Sequence, residues 1–181
     1  MTNIVTATPQ TNNSPPKVTN SLPISQIAIN KGVDSLIRMQ DSNGSFNDSS
    51  ARQSARNGYA MTALGIMALA SIGHQPVDPS REGVAMKKAL DFILRKDPRR
   101  GPKEYFGYDG GRMYGHGITT LCLTEMLGMT VTRTQETRMR EVTTKAVNLI
   151  LTSQRVAKSQ AKYRGGWRYT PTARDSDLSV T

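Results

Sequence analysis

Cysteine is nearly absent from this chain, Cys122 being the only one among 181 residues. That excludes an internal disulfide framework and a cysteine cluster for a structural metal, so no metal or other cofactor is expected. Aromatic residues make up only 6%, with Trp167 the single tryptophan. No run approaches the roughly 18 apolar residues that a membrane span requires. The N-terminus also lacks the charged start and apolar block of a secretory signal. These absences lead to the expectation of a cytoplasmic or peripheral membrane protein. Acidic residues are outnumbered by basic ones, 14 to 24, for a formal net charge of +10.

The densest basic stretch runs from Arg81 to Lys103, where Arg95, Lys96, Arg99, Arg100 and Lys103 crowd around Pro98 and Pro102. These charges form no single stripe on one helix, and no nucleic-acid motif accompanies them. A solvated basic surface is the first reading, contact with an acidic membrane surface the second, and nucleic acid the last.

What the chain does contain is a repeat. Lys31, Lys88 and Lys145 are spaced by 57 residues, and each lies near the start of a similar segment. The three segments read Lys31-Gly-Val-Asp-Ser-Leu-Ile-Arg-Met-Gln40, Lys88-Ala-Leu-Asp-Phe-Ile-Leu-Arg-Lys-Asp97 and Lys145-Ala-Val-Asn-Leu-Ile-Leu-Thr-Ser-Gln154. Units of this size cannot bury an apolar face alone and must stack on their neighbours.

Residues 1–22 are rich in Thr, Asn, Ser and Pro without helical periodicity, which predicts a loose tail; the repeats occupy 23–181. Apolar spacings of three and four predict amphipathic helices from about Ser25, over Val84–Lys96 and over Arg138–Ser153. Between them lie two segments of another kind, about Arg52–Ile72 and Gly117–Leu127. The first is apolar or small nearly all round over Tyr59–Ala70, which predicts a helix buried on every side. Thr62 and Thr119 occupy matching places in the two segments. The fold class is therefore all-α: helical hairpins side by side, apolar helices inside and amphipathic ones outside, forming an incomplete arc. Two hairpins and the opening of a third leave a helix edge uncovered, open to self-association or to a continuation of the polypeptide.

The linkers carry a resemblance. Gln40-Asp-Ser-Asn-Gly44-Ser-Phe46, and later Gln154 followed by Gly165-Gly166-Trp167, resemble the Gln-x-x-x-Gly-x-Trp element of squalene–hopene cyclases and the related prenyltransferase and squalene-oxidase repeat proteins. Phe46 stands where that family has Trp, Asp97 stands for Gln in the middle copy, and the third copy carries an insertion from Arg155 to Arg164. The resemblance implies an (α/α) toroid that binds or cyclises a polyprenyl hydrocarbon, an isomerase-type activity, once its ring is complete. It also implies that the glutamine caps a helix end beneath the aromatic ring.

In that family the proton donor is the middle residue of Asp-x-Asp-Asp. Here Asp175-Ser-Asp177-Leu178 supplies Asp177 as the donor and Asp175 as its leading partner, with Leu178 replacing the last aspartate. Asp177 and Ser179 also suit the ordinary task of capping a following helix. Trp167, Tyr169 and Tyr114 are the aromatic candidates for a substrate-lined surface, and Trp167 equally suits packing between hairpins. Cys122 and His116 lack the spacing of a zinc site; Cys122 reads as a small hydrophobe, His116 as a loop or cap residue. The Tyr105–Tyr114 loop is either a binding lip or an insertion-tolerant connection. The alternative function is a non-catalytic scaffold holding a protein or glycan partner.

Overall fold

The computed structural model describes residues 23–46 and 57–175. The segment 1–22, and Asp177 and Ser179 with it, lie outside the described residues. Five α-helices follow one another: α1 (Ile24–Arg38), α2 (Gly58–Ser71), α3 (Arg81–Leu94), α4 (Arg112–Glu125) and α5 (Arg133–Gln154). Short 3-10 turns occur at Pro98–Arg100, Phe106–Asp109 and Ala161–Tyr163. No β-strand is present among the described residues, so the all-α expectation holds.

The two mostly apolar helices, α2 and α4, pack on each other. Behind them α3 lies against α2 and α5 against α4, while α1, α3 and α5 adjoin in order. Helices that are wettable on one side only thus form one layer, and the apolar pair forms the other. Ile66 and Leu69 of α2, Met86, Leu90 and Ile93 of α3, Leu123 of α4 and Val142 of α5 are all fully buried in one core. Each such side chain contributes about 1.5–3 kcal/mol by leaving water.

The repeat is physical as well as textual. Thr62 and Thr119 are both buried, and each returns its hydroxyl to the carbonyl four residues back, Gly58 at 2.7 Å and Gly115 at 2.8 Å. Buried hydroxyls need such partners. Gly115 of α4 faces Ala60 of α2, where even an added Cβ would make an ordinary contact of 3.6 Å.

Three helices begin earlier than apolar periodicity indicates, and in two of them, α3 and α5, a capping side chain fixes the start. Ser80 accepts from the Gly83 N–H to open α3, and Thr132 accepts from the Gln135 N–H to open α5. α4 starts at Arg112 instead of Gly117, so His116 is a helix residue, and its ring is fully buried rather than sitting in a loop or cap.

A second correction concerns α2. Its apolar circumference predicts burial on all sides, yet Met61 and Leu64 are 47% and 45% exposed. α3 and α4 cover part of the cylinder, and these two residues project from the remainder. Leu121 of α4, one period after Leu64, is likewise 52% exposed. No helix among the described residues is long and apolar enough to cross a membrane.

Candidate functional site

The first linker folds into a clamp. Gln40 follows α1 and donates its side-chain amide to the Gly44 carbonyl at 3.0 Å and to the Ala85 carbonyl of α3 at 2.8 Å. Gly44 has φ +92°, and a Cβ on it would stand 2.3 Å from the Lys88 carbonyl oxygen, so the linker passes where only glycine fits. Phe46 then turns inward. Its N–H donates to Thr62 Oγ1 at 3.2 Å and its ring lies over Gly65, where a Cβ would come within 2.4 Å. Gln40, Gly44 and Phe46 thus join α1 to α3 and to α2.

The third copy is arranged differently. Gln154 ends α5, Gly166 is buried, and Trp167 donates its indole N–H to the Ile150 carbonyl at 2.9 Å. The ten-residue insertion separates this glutamine from the Gly-Gly-Trp, so the tryptophan fastens to the helix that precedes it.

The middle linker holds a polar cluster that no local sequence pattern marks. Asp97, in the glutamine's place, has a side chain only 6% exposed. Its carboxylate accepts from Tyr59 Oη at 3.0 Å, from Tyr108 Oη, and from Arg99 Nε at 3.0 Å and a terminal nitrogen at 2.8 Å. The Arg99 guanidinium and the tyrosine hydroxyls hold this carboxyl well below the usual carboxylate range. Burial pushes the phenols of Tyr59 and Tyr108 upward, and the nearby Asp97 charge adds to it. Both phenols therefore remain protonated donors at neutral pH. Tyr59 also centres an aromatic group, 5.3 Å from Phe92 and Phe106 and 5.8 Å from Tyr108.

Next to it lies Arg100, whose side chain is wholly buried. It donates to the carbonyls of Ile93, at 2.7 Å, and of Arg95, at the end of α3, and stands 3.1 Å from Glu104. Arg138 of α5 reaches the same Glu104 at 2.7 Å. The basic stretch around Pro98 is thus no uniformly solvated surface: Arg100 is internal, Arg99 is paired, and Arg95 lies 4.2 Å over the Phe92 ring.

The Tyr105–Tyr114 loop folds onto this core. Phe106 is fully buried, and the Asp109 carboxylate accepts from the N–H groups of Tyr59 and Gly111, each at 3.1 Å, which caps the start of α2 from another part of the chain. A sequence signal for that cap was the aspartate before Gly110-Gly111, but nothing local says which helix it serves. His116 accepts the Phe106 N–H at Nδ1, 3.3 Å away, and lies 3.1 Å from the Ala146 carbonyl at Nε2. That pairing makes Nε2 the protonated nitrogen and the ring neutral. Burial lowers its pKa to about 4. Burial likewise raises the Cys122 thiol to about 12, so it stays an inert thiol. Among the described residues no group of His, Cys, Asp and Glu is placed to hold a metal.

Of the aromatic candidates, Tyr114 and Tyr169 lie together, ring centroids 6.0 Å apart, and Trp167 is half-buried in the same loop. Asp175 is exposed and 3.2 Å from Arg168, whose guanidinium lowers its pKa. It is an ionised surface group at neutral pH. Its proposed partner Asp177 lies outside the described residues.

Met67, Ala70, Leu121, Met126 and Met129, with Ser71 and Glu125, border an open, largely apolar cavity of about 420 Å³ at α2 and α4. Comparison with protein-family models, with curated proteins and with solved structures finds no match to this chain.

Proposed function

We propose that this chain is an arc of a squalene-cyclase-like helical toroid whose apolar layer holds a polyprenyl hydrocarbon. The observation that supports this reading is the exposure of three large apolar side chains on the apolar helices, Met61 and Leu64 on α2 and Leu121 on α4, the last of which lines the methionine-bordered cavity together with Met67 of α2. Leu64 and Leu121 fall at the same point of the 57-residue period, so further units would extend this exposed apolar set. Unbranched thioether side chains adapt to irregular apolar ligands, and 420 Å³ is within the ordinary range for a ligand cavity. The Gln40 clamp onto Ala85 adds support in that it ties neighbouring units, although its acceptor is a carbonyl within α3 rather than at a helix end, and the Phe46 ring lies over Gly65 rather than over the amide.

Binding is tested with squalene displacing a fluorescent hydrocarbon probe from the protein. A Leu64→Gln/Leu121→Gln variant removes two of these side chains without entering the core and is expected to bind about tenfold or more weakly, given about 1.5–3 kcal/mol per apolar side chain. Unchanged affinity in that variant, or no displacement by squalene in the original, ends the reading. Cyclisation would in addition require Asp177 as the proton donor; cyclic products that persist in Asp177→Asn would remove it from that role.

A second reading, a non-catalytic scaffold for a protein or glycan, is favoured by one observation: Asp175 is engaged with Arg168 at the surface and does not line the apolar cavity between α2 and α4. Protein that neither binds squalene nor yields a cyclic product, yet recovers a protein or glycan above background in a pull-down, supports this second reading.

A further inference from the structure

The loop that follows α5 carries charge of one sign. From Arg155 to Arg174 it holds six cations, Arg155, Lys158, Lys162, Arg164, Arg168 and Arg174, and no Asp or Glu. On the helices half of the cations are matched, Arg81 with Asp34, Lys87 with Asp91, Arg138 and Lys145 with Glu141, and Arg140 with Glu136, and the unmatched ones are scattered over four helices rather than gathered in one segment. In the loop Arg168 reaches Asp175. Arg155, Lys162, Arg164 and Arg174 are exposed and have no ion-pair partner among the described residues. Like charges this concentrated repel one another, so the arrangement favours an anionic partner.

The cations project from a fixed frame. The Ser159 N–H donates to the Arg174 carbonyl at 2.9 Å and Lys158 Nζ to the Ala173 carbonyl at 2.8 Å, which closes the loop on itself. Trp167 anchors it to Ile150 of α5, and the Met113 N–H of α4 donates to the Tyr169 carbonyl at 3.0 Å. A loop ordered before binding loses little entropy on binding.

Aromatic rings alternate with the charges. Lys162 Nζ stands 4.9 Å from the Tyr163 ring centroid, and the guanidinium groups of Arg168 and Arg112 stand 4.3 and 5.0 Å from that of Tyr169. Cations on a backbone-tracking surface, with rings and guanidinium planes for bases, are what single strands require. Insertion into a lipid surface would need an apolar face, and no large aliphatic side chain of the loop is exposed, so a lipid would be held by charge alone whereas a strand would also use the rings. We infer that the Arg155–Arg174 loop is a binding surface for single-stranded nucleic acid, with phosphates on its unmatched cations and a base against Tyr163, the Tyr169 ring being held between Arg168 and Arg112. This surface is separate from the apolar side chains exposed on α2 and α4.

The test is fluorescence anisotropy of a labelled oligo-uridine strand with the full chain, titrated over salt. The variant Lys162→Ala/Arg164→Ala/Arg174→Ala is expected to bind about tenfold or more weakly at low salt. Its slope of log K against log salt should flatten by about 2, as three lost phosphate contacts imply. Tyr163→Ala should weaken binding by about tenfold through lost stacking. The variant Lys31→Ala/Lys87→Ala/Lys145→Ala removes equal charge elsewhere and should cost less than about threefold. Circular dichroism confirms that each variant is folded. Equal losses in the two triple variants would reduce the effect to net charge and overturn the assignment. So would absence of binding by the original chain at about 50 mM salt, or loop-dependent binding of phosphatidylserine vesicles without binding of the strand.

Discussion

Gln40 donates its amide to the carbonyl of Ala85 at 2.8 Å, so one side chain joins the end of α1 to the first turns of α3. The same nitrogen also holds the Gly44 carbonyl. Replacing Gln40 with Ala is expected to lower unfolding free energy by about 1–2 kcal/mol, from two bonds of ordinary net strength. The measurement is the urea midpoint, with the slope m unchanged; a midpoint that does not move would show that the clamp contributes nothing to stability.

Gly65 leaves room for the Phe46 ring: a methyl group at this position would stand 2.4 Å from the ring edge, closer than any real side chain comes. Gly65→Ala should therefore destabilise by about 1–3 kcal/mol, as overpacking does. Pairing it with Phe46→Leu should recover part of that loss, read as a coupling energy in a double-mutant cycle. Strict additivity would refute the contact.

Arg100 is the buried cation that holds the end of α3 and offsets Glu104. Arg100→Met leaves the Ile93 and Arg95 carbonyls without this donor and Glu104 with Arg138 alone, at a cost of about 3–5 kcal/mol. Adding Glu104→Gln to that variant should restore part of the stability in chemical denaturation. A loss below about 1 kcal/mol would mean the group is solvated.

His116 gives the fold a dependence on pH. Its pKa falls from 6.5 to about 4 on folding because burial disfavours the charged ring. Between those values the unfolded chain binds more protons, so stability rises with pH. The contribution is complete above about pH 6.5 and is lost progressively as acid is added, by about 2 kcal/mol from pH 7 to pH 5. Urea denaturation at the two pH values checks it, and His116→Asn should abolish most of the difference. An equal pH dependence in both proteins would place the titrating group elsewhere.

Much of the helical layering was legible because period and composition report burial directly. Amphipathic spacing in α1, α3 and α5, and small or apolar residues in α2 and α4, suffice to assign an outer and an inner layer. The helix starts were less legible. Ser80 and Thr132 act through backbone N–H groups in turns that are polar, so hydrophobic spacing passes over them. The Asp97 cluster was hidden for another reason: Tyr59, Asp97 and Tyr108 come from three separate segments, and each alone reads as an ordinary residue.

Charge shows the same division. Composition established an excess of cations, but their linear density singled out the stretch around Arg95–Lys103. Packing reversed that ranking, because Arg100 entered the core and Arg99 found Asp97, while the less crowded Arg155–Arg174 loop kept four of its six cations exposed.

By itself, then, the order of amino acids determined the repeat, the helices and which of them are greasy, since those depend on neighbours three, four or 57 positions away along the chain. Only the tertiary structure decided which α2 side chains remain exposed, which arginine becomes an internal cap and where His116 places its proton. Those outcomes depend on groups brought together across the fold, and contact between distant segments leaves no periodic trace in the sequence.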